Sequence, residues 1–76
     1  MASRLGMKLK RLRAKRGLTQ EELGRKVGVS YAYISMLESG AKTNPTIDTL
    51  KALAKALRVP VAELLGRRWI RRMSTL

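Results

Sequence analysis

Apolar residues recur along this chain at intervals of three and four, and turn residues separate the stretches. Leu5, Leu9 and Leu12 stand at i, i+4 and i+7 and predict a first helix over 7–16, stopped by Gly17. Thr19 and Glu22 have the spacing of a capping box, which predicts a second helix over 20–27 with Leu23 and Val27 one turn apart. Gly28 breaks the chain. Ser30 can cap a third helix that ends near Ser39, ahead of Gly40, with Ile34 and Leu37 as its inward pair. Residues 41–45 read as a polar loop. Thr46 caps a fourth helix whose apolar stripe is Ile47, Leu50, Leu53, Ala54 and Leu57. Lys51, Lys55 and Arg58 mark its solvent face. Pro60 suits the first turn of a fifth helix, with Val61, Leu64 and Leu65 facing the core. No stretch alternates with the period of a strand. The expected fold class is all-α, a compact domain of five short helices.

Length and composition narrow this further. Seventy-six residues make one small domain with a modest core. An apolar share of 45% excludes intrinsic disorder, and the absence of phenylalanine leaves the core to Leu, Ile, Val and Ala. Seventeen Lys and Arg against five Asp and Glu give a net charge of +12. So large an imbalance points to a polyanionic partner, nucleic acid first and an anionic membrane surface second. With no Cys and no His, there is no disulfide, no Cys/His zinc site, no thiol nucleophile and no histidine base. No cofactor or metal is expected. No apolar run reaches the roughly 20 residues of a membrane span. Nor does the N-terminus carry the apolar core of a signal peptide, so a cytoplasmic protein is expected.

The acids have structural explanations. Glu21, Glu22, Asp48 and Glu63 all fall in first turns, where they complement helix dipoles. No pair of carboxylates is spaced to share a cleft, so an enzyme is not expected. Glu38 differs, because it lies one turn after Ile34 and beside Leu37. Arg13 lies one turn after Leu9 and beside Leu12. Two opposite charges thus point toward a small core from different helices.

The second and third helices, joined by a turn on glycine, have the spacing of a helix-turn-helix. From Thr19-Gln20-Glu21-Glu22-Leu23 through Val29-Ser30 to Ile34-Ser35-Met36-Leu37-Glu38-Ser39-Gly40, the chain resembles the phage repressor and Cro-type family, also called the xenobiotic-response-element family. The resemblance continues through Asn44-Pro45 to Glu63-Leu64-Leu65 and covers roughly 7–66. Each part has a steric role. Gly24 stands where two helices must cross closely, Gly28 where a positive φ is needed, and Leu23, Val27, Val29, Ile34 and Leu37 at the five apolar positions. One departure is Gly24 itself, since the family often has Ala there.

The resemblance implies a lambda-repressor-like fold that binds double-stranded DNA. It implies a structural ion pair between Arg13 and Glu38. It maps base contacts onto Tyr31, Ala32 and Met36, with Ser30 and Ser35 at the margin. It maps phosphate contacts onto Gln20 and onto Lys42, Thr43 and Asn44. The Tyr33 hydroxyl could join them, and Arg4, Lys8, Lys10 and Arg11 are further basic candidates. No Arg, Lys, Asn or Gln stands on the exposed face of the third helix, so the strong bidentate pairs with guanine and adenine are missing from it. Ala32, Met36 and the Tyr31 ring can instead meet thymine methyls, and DNA shape or flanking residues supply a larger share of the readout.

The expected organisation is an N-terminal arm over 1–6, the helix-turn-helix domain over 7–66, and a basic amphipathic tail over 67–76. Trp69, Met73 and Leu76 recur at helical spacing in that tail. It reads as a dimer contact, a frayed end, or a segment that docks on a protein partner or anionic lipid. The expected function is a sequence-specific transcriptional repressor that binds a two-fold symmetric operator as a homodimer, without membrane attachment. The alternative is an antitoxin or bridging protein-interaction module on the same fold.

Overall fold

Five helices follow one another along residues 4–65, the part of the chain that the computed structural model describes. They are α1 (Arg4–Lys15), α2 (Gln20–Val27), α3 (Tyr31–Ser39), α4 (Ile47–Leu57) and α5 (Val61–Leu65). No strand occurs among the described residues. The tail with Trp69, Met73 and Leu76 lies outside them.

The caps arise locally. Thr19 accepts from the Glu22 backbone N–H at 3.0 Å, while the Glu22 carboxylate accepts from the Thr19 N–H at 2.9 Å. Ser30 and Thr46 cap α3 and α4 in the same way, each accepting the N–H three residues on. Gly28 ends α2 at φ 85°, a left-handed conformation that costs a residue with a Cβ about 1–2 kcal/mol. The same conformation closes α4, but there Arg58 adopts it at φ 57°. Arg58 therefore terminates α4, and it is exposed together with Lys51 and Lys55 as the spacing suggested.

Every helix contributes to one core. Leu9, Leu23, Ile34, Leu37, Leu53, Leu57 and Leu64 are fully buried. Truncating such a residue to alanine typically costs 2–5 kcal/mol. Leu5, Leu12, Val27, Val29 and Val61 pack around them, half-buried. Ile47 departs from its expected place in the α4 stripe. It is the first residue of the helix and stays 52% exposed, because the core begins one turn later at Leu50.

The first helix also departs from expectation. It starts at Arg4, so residues 4–6 of the expected arm belong to it. The reason lies at Gly6, which is buried against α3. A Cβ there would collide with the Leu37 carbonyl oxygen and lie 2.7 Å from that of Glu38. Gly6 lets α1 and α3 approach backbone to backbone, and this packing holds the first turn in helical form despite glycine's low propensity. Gly24 plays the same part between α2 and the turn, where a Cβ would lie 2.7 Å from the Val29 carbonyl oxygen. Glycine at this position therefore answers a backbone contact in this chain.

Candidate nucleic-acid interface

The site is built on an ion pair between helices. Arg13 on α1 donates through Nε to Glu38 Oε2 at 2.6 Å and through Nη2 to Oε1 at 3.0 Å. Its Nη1 donates to the Leu18 carbonyl at 2.7 Å. The Glu38 side chain is 4% exposed and that of Arg13 15%. Hydrogen bonding to Glu38 raises the Arg13 pKa above its ordinary value, against the opposing effect of burial. Such a two-pronged pair fixes direction as well as distance. It orients α3 on α1, so that Ile34 and Leu37 face inward and the opposite side of α3 faces solvent.

A third group joins the pair. The Gln20 Nε2 donates to Glu38 Oε1 at 3.2 Å. Gln20 opens α2, and its side chain is therefore held by the same carboxylate that holds Arg13. An amide nitrogen carries two protons, so this contact leaves one for an acceptor outside the protein. The backbone N–H groups at the start of α2 point the same way as any helix N-terminus, which favours an anion.

The exposed side of α3 begins with Ser30, Tyr31 and Ala32, all exposed, and continues through half-buried Ser35 to Met36. Tyr31 is 61% exposed and Met36 36%. Beyond the end of α3 the chain turns back, with the Lys42 N–H donating to the Met36 carbonyl at 3.0 Å. This turn places the Lys42 ammonium over the Tyr33 ring, 5.3 Å from its centroid. A cation in that position is attracted by the ring quadrupole. Thr43 and Asn44 follow, both exposed. Gln20 thus meets α3 at the buried Glu38, and Lys42 meets it at Tyr33 and at the Met36 carbonyl.

Other basic candidates divide. Lys8 donates to the Glu63 carbonyl at 3.0 Å and ties α1 to α5. Its spacing gave no hint of that role. Arg4, Lys10 and Arg11 are exposed. Arg16, which had no assigned role, donates to the Leu57 carbonyl at 3.0 Å and satisfies the end of α4. The Lys42 contact with Tyr33 was also missed, because it depends on how the loop folds back. The described residues contain no group of three or more potential metal ligands among His, Cys, Asp and Glu. None of their helices is long and apolar enough to cross a membrane.

A capped helix, a glycine turn and a second helix with one side held on the core and the other open define a helix-turn-helix DNA-binding domain. The chain belongs to the helix-turn-helix family, whose profile matches residues 9–64. It is 47% identical over 64 residues to an uncharacterized HTH-type transcriptional regulator of Sinorhizobium fredii, covering 84% of this chain and 82% of that one. Among solved structures it resembles the biofilm master regulator SinR in complex with DNA, with a TM-score of 0.79 and 35% identity over 82% of this chain and 98% of that one. It also resembles the restriction-modification controller protein C.AhdI from Aeromonas hydrophila, with a TM-score of 0.76 and 33% identity over 80% of this chain and 91% of that one. The chain spans 40% to 58% of the length of several further curated relatives. These relatives are transcriptional regulators, and the family is not one of enzymes.

Proposed function

We propose that this chain is a sequence-specific repressor that occupies a two-fold symmetric site on double-stranded DNA as a homodimer in the cytoplasm. The observation that carries this reading is the open side of α3, held outward by the Arg13–Glu38 pair and flanked by Gln20 and Lys42. Tyr31, Ala32 and Met36 meet base edges, with Ser30 and Ser35 beside them. Gln20, Lys42, Thr43 and Asn44 grip phosphates, and Tyr33 supports them. The net charge of +12 supplies the general attraction to the duplex. A DNA complex of SinR and the immunity repressor of Bacillus phage phi105 among the relatives support the reading. A homodimer accounts for a symmetric site, because two copies of this motif read half-sites about 34 Å apart.

Selection of bound duplexes from a random pool at about 150 mM salt tests it, since screening there is near physiological. Enrichment of a two-fold symmetric site is the expected result. A single unrepeated half-site would remove the homodimer, and binding without any enriched sequence would overturn the reading.

The exposed Tyr31 and Met36 favour one second reading, in which the same face docks a protein. SinR has also been solved in complex with the protein SinI. The salt dependence separates the two. Affinity for DNA falls steeply between 50 and 200 mM salt, whereas an apolar protein contact changes little.

A further inference from the structure

The helix placed to enter the major groove carries one charged residue in nine. None of the seventeen Lys and Arg residues falls within Tyr31–Ser39. Its one charged residue, Glu38, is buried beneath Arg13. What α3 shows to solvent is Tyr31, Ala32, Met36 and Ser39, with half-buried Ser35 between them and with Ala32 and Met36 one turn apart on the same side. The serines around them are partly committed. Ser30 spends its oxygen on the Tyr33 N–H, and Ser39 donates to the Met36 carbonyl and accepts from the Ala41 N–H. One cation stands at its edge, Lys42, held over Tyr33. The largest exposed groups of the face are apolar or aromatic, with Ser35 among them and Lys42 at one edge.

In the major groove one apolar base feature is large enough to fill a contact of its own. It is the C5-methyl group of thymine, and 5-methylcytosine carries it in the same place. Resting on the DNA-binding reading above, we propose that α3 selects its site by burying C5-methyl groups of pyrimidines against Tyr31, Ala32 and Met36. Hydrogen bonding to base edges is then secondary at these positions. One buried carbon contributes about fourfold in affinity, the equivalent of ~0.8 kcal/mol. Two such methyls in each half-site multiply to more than a hundredfold over a symmetric site. A cytosine in place of a contacted thymine regains part of the affinity when it is methylated at C5.

The test uses the full chain and the duplex enriched from the random pool. Each thymine is replaced in turn by deoxyuridine, which removes the methyl and leaves base pairing and phosphates unchanged. The expected result is a loss of about fourfold at two or more thymines per half-site, with the slope of log affinity against log salt unaltered. Met36→Ser, at an exposed position, should keep the melting temperature and abolish the deoxyuridine effect at one of those thymines. Equal affinity for the enriched duplex and every deoxyuridine version overturns the inference while leaving DNA binding intact. A Met36→Ser variant that keeps the full deoxyuridine effect at all positions, together with a Tyr31→Ala variant that does the same, also overturns it. A pool without any enriched sequence overturns the DNA-reading function itself, and the inference with it.

Discussion

Arg13 and Glu38 reach across from α1 and α3 to form two hydrogen bonds, 2.6 and 3.0 Å long, and the carboxylate also receives Gln20. One buried group therefore sets the position of α3 and the side chain that opens α2. Glu38→Ala should strand the Arg13 guanidinium in a partly buried site and cost about 3–5 kcal/mol, most of the stability of so small a domain. Thermal unfolding reads this directly. An unchanged melting temperature would contradict it. Replacing both partners, as Arg13→Met with Glu38→Leu, should recover part of the loss, because no charge is then left unpaired.

Gly6 is the second place where α1 meets α3. Alanine there favours helix by about 1 kcal/mol but drives a methyl into the Leu37 and Glu38 carbonyl oxygens. Backbone on both sides must shift, and overpacking of this kind costs about 1–3 kcal/mol. Gly6→Ala should lower the denaturation midpoint. A rise would mean that the two backbones are free to separate.

Tyr33 supports Lys42 with its ring face, and the ring is retained in phenylalanine. Tyr33→Phe should therefore bind the selected duplex within about twofold of the parent, while Tyr33→Leu weakens it. Lys42→Ala should reduce the magnitude of the slope of log affinity against log salt by about one, as expected for one lost phosphate contact. Equal losses in Tyr33→Phe and Tyr33→Leu would assign the contact to the hydroxyl.

The Glu22 carboxylate is held below its ordinary pKa of 4.5, chiefly by the Thr19 backbone N–H and then by the Thr19 side chain. The folded state thus binds this proton less readily than the unfolded chain. The resulting stabilisation is complete above the unfolded value and is lost as pH falls through the folded one. Between pH 6 and pH 3 the melting temperature of the parent should fall further than that of Glu22→Gln. Parallel curves would show that the capping carboxylate does not contribute.

Residues 19–65 were largely legible in the sequence. Caps at Thr19, Ser30 and Thr46, turns at Gly28 and Gly40, and apolar spacing at three and four all act within a few residues. Local hydrogen bonding decides such elements, so local sequence is enough to place them. The inward phase of α3 followed from Ile34 and Leu37, and with it the uncharged exposed side. Other features needed the fold. The first turn of α1 depends on Gly6 meeting the α3 backbone, a contact across more than thirty residues. Ile47 fits the α4 stripe but lies past the edge of the core. Lys8 was a basic candidate for DNA and Arg16 had no assigned role, and only the fold brings them to the carbonyls of Glu63 and Leu57. Periodicity states which side of a helix is apolar. It carries no information on where the neighbouring helix begins, which backbones touch, or which long side chain finds a distant carbonyl. Those are consequences of packing, and packing is settled only when all five helices share one core.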